Sequence, residues 1–371
     1  MMAGNIWRGI VAITDWRTGL RKISNSPAID AVFISNMRDH VDRRRFLGSF
    51  RPSSGHINGP RYWINGTAGR TRAINMTTDE LTSNEGREKA KEQFLSATAW
   101  ARDNGARVVL LAASTKRLFG PEGHELKSRF PEMIFTIGDN GTAYLLREET
   151  MRALSLSGLL PGSARVAVLG PYGLLGEAMV NDLMSAGYEV VGGGTNRKGL
   201  DRIRDTYKIR TYKSIIEMCR VDAVVACTHG DKIRLTAENI EFIRPKGKKF
   251  LVVDVAEPSN LRYREHEKCR HLVVRQDAGN AYAPGLKYVL GALSYRMFRL
   301  TRGVTFGCFA EALAIASSIS NGNGSLRKVD WFKVNQKNMT MVAEMFHENG
   351  FTMPDPRCFG KPVRSFDLAI S

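Results

Sequence analysis

No apolar run in this chain approaches the ~18 residues that a membrane-crossing helix needs. Cysteine is sparse. The five thiols, Cys219, Cys227, Cys269, Cys308 and Cys358, are odd in number and lack CxxC spacing. That pattern argues against a disulfide framework and against a zinc site, so no metal is expected. Acid is short as well: 37 Asp and Glu stand against 54 Lys and Arg, for a formal net charge of +17. There is no internal repeat, no low-complexity tract and no recognised nucleic-acid motif, so the charge alone does not imply a stable nucleic-acid complex. The first residues, Met1 to Arg8, do not follow the basic-then-apolar layout of a secretory signal, and a cytoplasmic location is expected.

What is present fits a globular protein of two or three domains. Hydrophobic residues make up 43% of the 371 and charged residues 25%, enough for a sizeable core under an ordinary charged surface. The basic surplus is marked in residues 1–75, with twelve Lys and Arg against four Asp and Glu, and is densest at Arg43, Arg44 and Arg45, with Arg51 close by. Such a field attracts anionic partners: a nucleotide, an acidic carrier protein, an anionic lipid or a nucleic acid.

The pattern predicts an α/β fold in three parts: residues 1–158, a Rossmann-type domain over 159–285 with a parallel sheet, and a helical segment over 286–371. The early part reads as irregular, with turn-rich stretches at 51–56 and 65–69. A helix is expected over Glu85–Asn104 with Ser83 as its cap, a strand at 107–112, and a helix over Thr142–Leu156 after Gly141. Strands are then expected at Arg165–Leu169, Glu189–Gly193, Ile209–Tyr212, Ala223–Cys227, Phe250–Val255 and His271–Val274. Strands alternating with helices imply a parallel sheet covered on both faces. From about residue 286 strand signals stop, and two helices are expected, Thr305–Ile319 and Leu326–Asn349.

The clearest motif follows the strand at 165–169. It runs Gly170-Pro171-Tyr172-Gly173-Leu174-Leu175-Gly176 into a helix expected over Glu177–Ala186. The first glycine permits the turn, the second brings backbone to a pyrophosphate, and the third lets helix and strand pack closely. The end of the next strand separates cofactors. An NAD site usually carries an acid there for the ribose hydroxyls. This chain has Gly194-Thr195-Asn196-Arg197-Lys198, two small polar residues and two cations, which suit the 2′-phosphate of NADPH. Thr228 and His229, after the fourth strand, lie where the nicotinamide half usually sits, and Asp254 to Pro258, after the fifth, can wall the same crevice.

A nucleophile is suggested by Thr305-Phe-Gly-Cys308-Phe-Ala-Glu311-Ala. With Thr305 as cap, Cys308 falls in the first helical turn, where the helix dipole favours a thiolate. Arg299 and Arg302 can add to that field, and Glu311 can orient a reacting group. A packed core cysteine fits the same residues, and Cys227, at a strand end beside the cofactor, competes.

Several segments occur in the order found in one family. They are Asn104-Gly-Ala, Thr115–Phe119, Gly138-Asp-Asn-Gly-Thr142-Ala-Tyr144, the glycine loop 170–176, Cys308-Phe-Ala-Glu-Ala312, and His347-Glu-Asn-Gly350-Phe351. On these the chain resembles the cyanobacterial-type long-chain acyl-carrier-protein reductases, which form aldehydes from fatty acyl thioesters with NADPH. It departs from them at Gly141, where that family has His, and at Pro171 and Tyr172. The resemblance implies that Cys308 carries the acyl group. It also implies an acyl-carrier-protein or coenzyme A thioester as substrate, an aldehyde-consuming enzyme downstream, and peripheral membrane contact for a lipid-soluble product. Thr142, Tyr144 and His229 are the candidate proton donors. Two other readings stand beside this one: an NADP-dependent ketone or imine reductase without covalent catalysis, and a non-catalytic NADP-sensing or nucleic-acid-binding protein.

Overall fold

The computed structural model describes residues 20–21, 23–24, 26–48, 52–288 and 300–370. Arg51, Arg299 and the N-terminal stretch read above lie outside them. Along the chain come β1 (Ala31–Met37), α1 (His40–Leu47), β2 (His56–Ile64), β3 (Thr67–Thr77), α2 (Asn84–Asp103), β4 (Val108–Leu111), α3 (His124–Arg129), β5 (Ile134–Thr136) and α4 (Asp139–Leu156). Then follow β6 (Arg165–Leu169), α5 (Leu174–Ser185), β7 (Glu189–Gly193), α6 (Arg197–Tyr207), β8 (Arg210–Tyr212), β9 (Ala223–Ala226), α7 (Ala237–Ile243), β10 (Phe250–Asp254), α8 (Tyr263–Cys269) and β11 (Val273–Asp277). The rest is β12 (Asn280–Tyr282), β13 (Lys287–Tyr288), β14 (Val304–Phe306), α9 (Gly307–Ser320), α10 (Gln336–Asn349), β15 (Arg357–Cys358) and β16 (Lys361–Pro362).

The chain forms two compact units, Met1–Gly141 with Ala281–Thr352, and Thr142–Asn280 with Met353–Ser371. The boundaries expected at 158 and 285 therefore shift. The first crossing falls inside α4, a continuous helix with no linker to mark it. The expected C-terminal segment is divided: its helices join the first unit and its last residues the second. There Lys249 N donates to Leu368 O at 2.6 Å, and Phe366 and Leu368 are buried.

In the second unit the sheet order is β11-β10-β9-β6-β7-β8, with every strand parallel to its neighbours. Counted from β6, that is the 3-2-1-4-5-6 order of the Rossmann fold. Both faces are covered. Val166, Val168, Val190, Val225 and Val253 enter one core with α4 and α5 residues, while Ala167, Leu169, Val191, Val224 and Val252 enter the other. Strands buried on both faces read as unbroken apolar runs, which is why the sequence located β6, β7, β9 and β10 within a residue. The last strand was expected at 271–274 and lies at 273–277. It carries Arg275 and Asp277, whose polarity hides it; Arg275 is buried and pairs with Asp254 at 3.0 Å.

The first unit holds a mixed sheet, β13-β2-β3-β1-β4-β5. Here the expectation of an irregular early region fails. β2 and β3 form a hairpin, and the stretch at 65–69 is its turn and the start of β3. Asn65 and Gly66, at φ 45° and 83°, make the two-residue connection that follows the strand twist. These strands escaped notice because they bury arginine. Arg61, Arg70 and Arg72 are 2%, 4% and 6% exposed, and Arg72 donates to His56 Nδ1 at 2.7 Å with its guanidinium 3.6 Å from the Trp100 ring.

Ser83 caps α2 as expected, accepting from Gly86 N. α4 begins three residues earlier than expected, with Gly141 inside it, and α5 likewise begins at Leu174. The helix expected over 326–349 is interrupted. A 3-10 turn covers Gly324–Lys328, Trp331 is buried with Nε1 donating to Leu326 O at 3.0 Å, and α10 starts only after its cap, Asn335. Strands do continue past 286; β13 to β16 have two or three residues each, too few to show a period.

Candidate functional site

The glycine turn in the second unit is built from main chain. Gly170 has φ +80°, and its N donates to Gly193 O at 2.7 Å, tying the turn to β7. Gly173 N returns to Gly170 O at 3.1 Å, and Gly173 is the cap residue of α5. A Cβ at Gly176 would stand 2.1 Å from Gly170 O, so no side chain fits there. The amides of Leu174, Leu175 and Gly176 open α5, which has no side-chain cap. Main chain this close, with amides pointing out of a helix start, fits a pyrophosphate.

At the end of β7 the residues 195–198 are exposed, and the Arg197 side chain is 78% exposed, with Asp201 at 3.9 Å. Asn196 caps α6 by accepting from Gly199 N. Tyr172 lies over this segment. A Cβ at Gly194 or Gly199 would come within 2.4 or 2.7 Å of its ring, and its Oη accepts from Thr195 N at 3.1 Å and Asn196 N at 3.3 Å. Burial pushes the Tyr172 phenol up, but its bonds with Thr195 and Asn196 outweigh this and leave it below the ordinary tyrosine value.

After β9, Thr228 and His229 enter a loop anchored from beneath. Asn260 Nδ2 donates to Thr228 O at 2.7 Å and to Ile233 O at 3.2 Å, and Asn260 Oδ1 accepts from Leu235 N. Asp254 accepts from the amides of Ala256, Asn260 and Leu261. Asp254 thus holds the turn that carries Asn260. The His229 side chain is exposed. Asn260 was not found from sequence; an Asn in a loop gives no signal of its own.

Cys308 lies in the first unit as the second residue of α9, so its place in the first turn stands. The cap is Phe306; Thr305 belongs to β14 and is fully buried. The expected acidic thiol is not found. Burial pushes Cys308 up to about 12, against the lowering pull of Lys116. Cys308 is half-buried, and desolvation outweighs both the helix terminus and Lys116. The cation that pulls it down is Lys116. Lys116 is paired with Asp139, and Asp139 in turn raises the thiol.

The main chain of the β5–α4 turn lies against this cysteine. A Cβ at Gly138 would stand 2.3 Å from Cys308 Cβ. Glu311, one turn along α9, is fully buried and accepts from Thr136 Oγ1 and from Gly141 N at 2.6 Å. Burial raises its carboxyl to about 7. A Cβ at Gly141 would meet Gly307 O at 2.8 Å and Glu311 Cβ at 3.0 Å, so the histidine of the resembling family has no room here. Lys116 and Asp139 were missed as site residues, although both lie in the segments that carry the resemblance.

Thr142 and Tyr144, both on α4, belong to the second unit, and burial raises the Tyr144 phenol. Burial also pushes Cys227 far up, and all five cysteines are free. Among the described residues no three His, Cys, Asp or Glu side chains gather as a metal site, and no helix is long and apolar enough to cross a membrane.

No protein-family model and no curated protein matches the chain. Solved structures do. L-tryptophan dehydrogenase from Nostoc punctiforme is 10% identical over 87% of this chain and 80% of its own, with TM-score 0.40. Shikimate 5-dehydrogenase from Thermus thermophilus is 16% identical over 79% and 100%, with TM-score 0.34. A dipicolinate synthase chain from Bacillus halodurans is 19% identical over 45% and 57%, with TM-score 0.33. The chain thus spans little more than half the length of the last. The Rossmann assignment rests on the strand order and the glycine turn.

Proposed function

We propose that this chain is an NADPH-dependent oxidoreductase that reduces an acyl thioester to an aldehyde through Cys308. The nicotinamide part of the reading is supported by the strand order, the glycine turn and the cations after β7. The thioester part is carried by one observation: a thiol in the first turn of α9, acted on by Lys116, with a carboxyl raised to about 7 one turn along. The family resemblance supports the same reading.

NADPH, when bound, supplies a hydride. Cys308 Sγ attacks the acyl carbonyl carbon, and the carrier sulfur leaves with the electrons of the broken C–S bond and takes up the thiol proton. Lys116 favours the thiolate, and the first-turn amides of α9 can hold the oxyanion. Reduction of the Cys308 thioester leaves a hemithioacetal. Return of its C–S electrons to Sγ releases the aldehyde and restores the enzyme.

Acyl carrier protein, which is acidic, or coenzyme A would deliver the acyl group. Among the described residues of the basic early region, much of the charge is paired or turned inward. Arg21, Arg38 and Arg43 are paired with Asp30, Asp42 and Glu80, and Arg61, Arg70 and Arg72 are buried, while Arg44 is exposed. A cytoplasmic location and contact with membranes or with an aldehyde-consuming enzyme follow from the same reading. The raised thiol favours a second one, direct reduction of a ketone or imine with Cys308 uninvolved.

The deciding experiment is mass spectrometry of the full chain after incubation with acyl thioesters, without NADPH. An acyl adduct on Cys308 supports the covalent route. No adduct, together with NADPH oxidation on a carbonyl substrate by a Cys308→Ala chain, moves the assignment to the second reading.

A further inference from the structure

We infer that Tyr172 is a specificity-determining positioning residue, which sets the preference for a 2′-phosphorylated dinucleotide over its unphosphorylated form. This rests on the NADPH reading above. The site for the adenosine ribose lies at the end of β7, where this chain offers no carboxylate to accept from ribose hydroxyls. Recognition there falls to Thr195, Arg197 and Lys198, on a short segment between β7 and α6. All three side chains are exposed, and the Arg197 guanidinium makes a long 3.9 Å approach to Asp201. Such a segment needs to be fixed before two cations can meet one phosphate.

Tyr172 does the fixing. It comes from the glycine turn itself, so whatever orders the pyrophosphate loop also orders this segment. Its ring fills the space over Gly194 and Gly199, where a Cβ would come within 2.4 and 2.7 Å of it. Its Oη accepts from two successive amides, Thr195 N and Asn196 N. With both amides held, the backbone of 195–196 has one arrangement, Asn196 is placed to cap α6, and Arg197 and Lys198 leave the first turn of that helix together. A phosphate engages these cations directly, whereas a bare ribose hydroxyl does not need them. Loss of the phenolic oxygen therefore weakens the phosphorylated dinucleotide selectively.

The test is equilibrium binding by the full chain of NADPH, NADH, 2′,5′-ADP and 5′-ADP, read by calorimetry, with Tyr172→Phe and Arg197→Ala/Lys198→Ala compared with the original. Tyr172→Phe is expected to weaken NADPH and 2′,5′-ADP by about tenfold, the scale of one charge-assisted contact. NADH and 5′-ADP should change less than about twofold. Combined with the double alanine change, it should add little, because both act on one contact. Equal weakening of all four ligands, or an unchanged ratio, overturns the inference. Amide exchange on the unaltered protein is independent of whether the variant folds: protected Thr195 and Asn196 amides are expected, and exchange at open-loop rates overturns the role. Original protein that binds NADH as well as NADPH refutes the NADPH reading itself, and with it the selectivity assigned to Tyr172; the exchange result then shows whether the contact exists regardless.

Discussion

The turn between Gly170 and Gly176 is built from main chain, while around Cys308 charged side chains gather. The glycine turn works by leaving atoms out: at Gly176 an added carbon would stand 2.1 Å from Gly170 O. The cysteine site works by gathering Lys116, the β5–α4 turn with Thr136, Asp139 and Gly141, and Glu311 from three segments, with Asp139 and Glu311 buried. A surface of main chain tolerates exchange of its exposed side chains but not of its glycines. A cluster of charges is sensitive at each charged member, because Lys116, Asp139 and Glu311 all act on the Cys308 thiol.

Changing the central atom of each site gives the widest contrast. On the proposed covalent route, Cys308→Ala should lower aldehyde formation by about a thousandfold or more, since it removes the nucleophile. NADPH affinity, measured by calorimetry, should stay within about twofold. Gly176→Val should do the reverse. The clash with Gly170 O should abolish dinucleotide binding and destabilise the second unit by about 3 kcal/mol, the upper part of the overpacking range, read by denaturant unfolding. A Gly176→Val chain that binds NADPH normally would show that the turn is not the pyrophosphate site.

The same contrast explains what the sequence could show. A turn made of glycines leaves a signature in consecutive residues, and the doubly covered strands around it are written as apolar runs. Ser83, capping α2 three residues before the amide it accepts from, is legible for the same reason: its partner is local. The Cys308 neighbourhood spans almost 200 residues of chain. Nothing in the residues around Cys308 says that burial raises its thiol, and the helix-terminus argument pointed the wrong way because it took the thiol to be solvated. β2 and β3 were missed because arginines that normally mark a surface are inside, and β11 because a buried ion pair runs through it.

Glu311 offers a thermodynamic reading of the buried site. Its folded value of about 7 lies above its ordinary 4.5. The folded state therefore holds the proton more tightly than the unfolded chain, and its contribution is fully present below about pH 4.5 and lost as pH rises through about 7. The shift corresponds to about 3 kcal/mol as an upper bound. Glu311→Gln should flatten the fall in stability across that window, measured as ΔG of unfolding at several pH values. An unchanged slope would mean that Glu311 is ionised at neutral pH and that its bonds with Thr136 and Gly141 outweigh burial.

Lys116 gives the smallest effect and sharpens the comparison most, because it separates reactivity from mere presence. Burial of Cys308 is the larger influence and Lys116 a counterweight, so removing the cation should raise the thiol further. Lys116→Met keeps the length of the stem and removes the charge. It also leaves Asp139 without its partner, so Lys116→Met/Asp139→Asn is the proper control. In the single variant the rate of Cys308 alkylation by iodoacetamide should fall by about tenfold at fixed pH, with its pH profile moved upward by about one unit; in the double variant, which also removes the Asp139 charge that raises the thiol, the fall should be smaller. NADPH affinity should not change. If alkylation is as fast without Lys116 as with it, burial outweighs the cation, and the covalent route loses the charged group that favours ionisation.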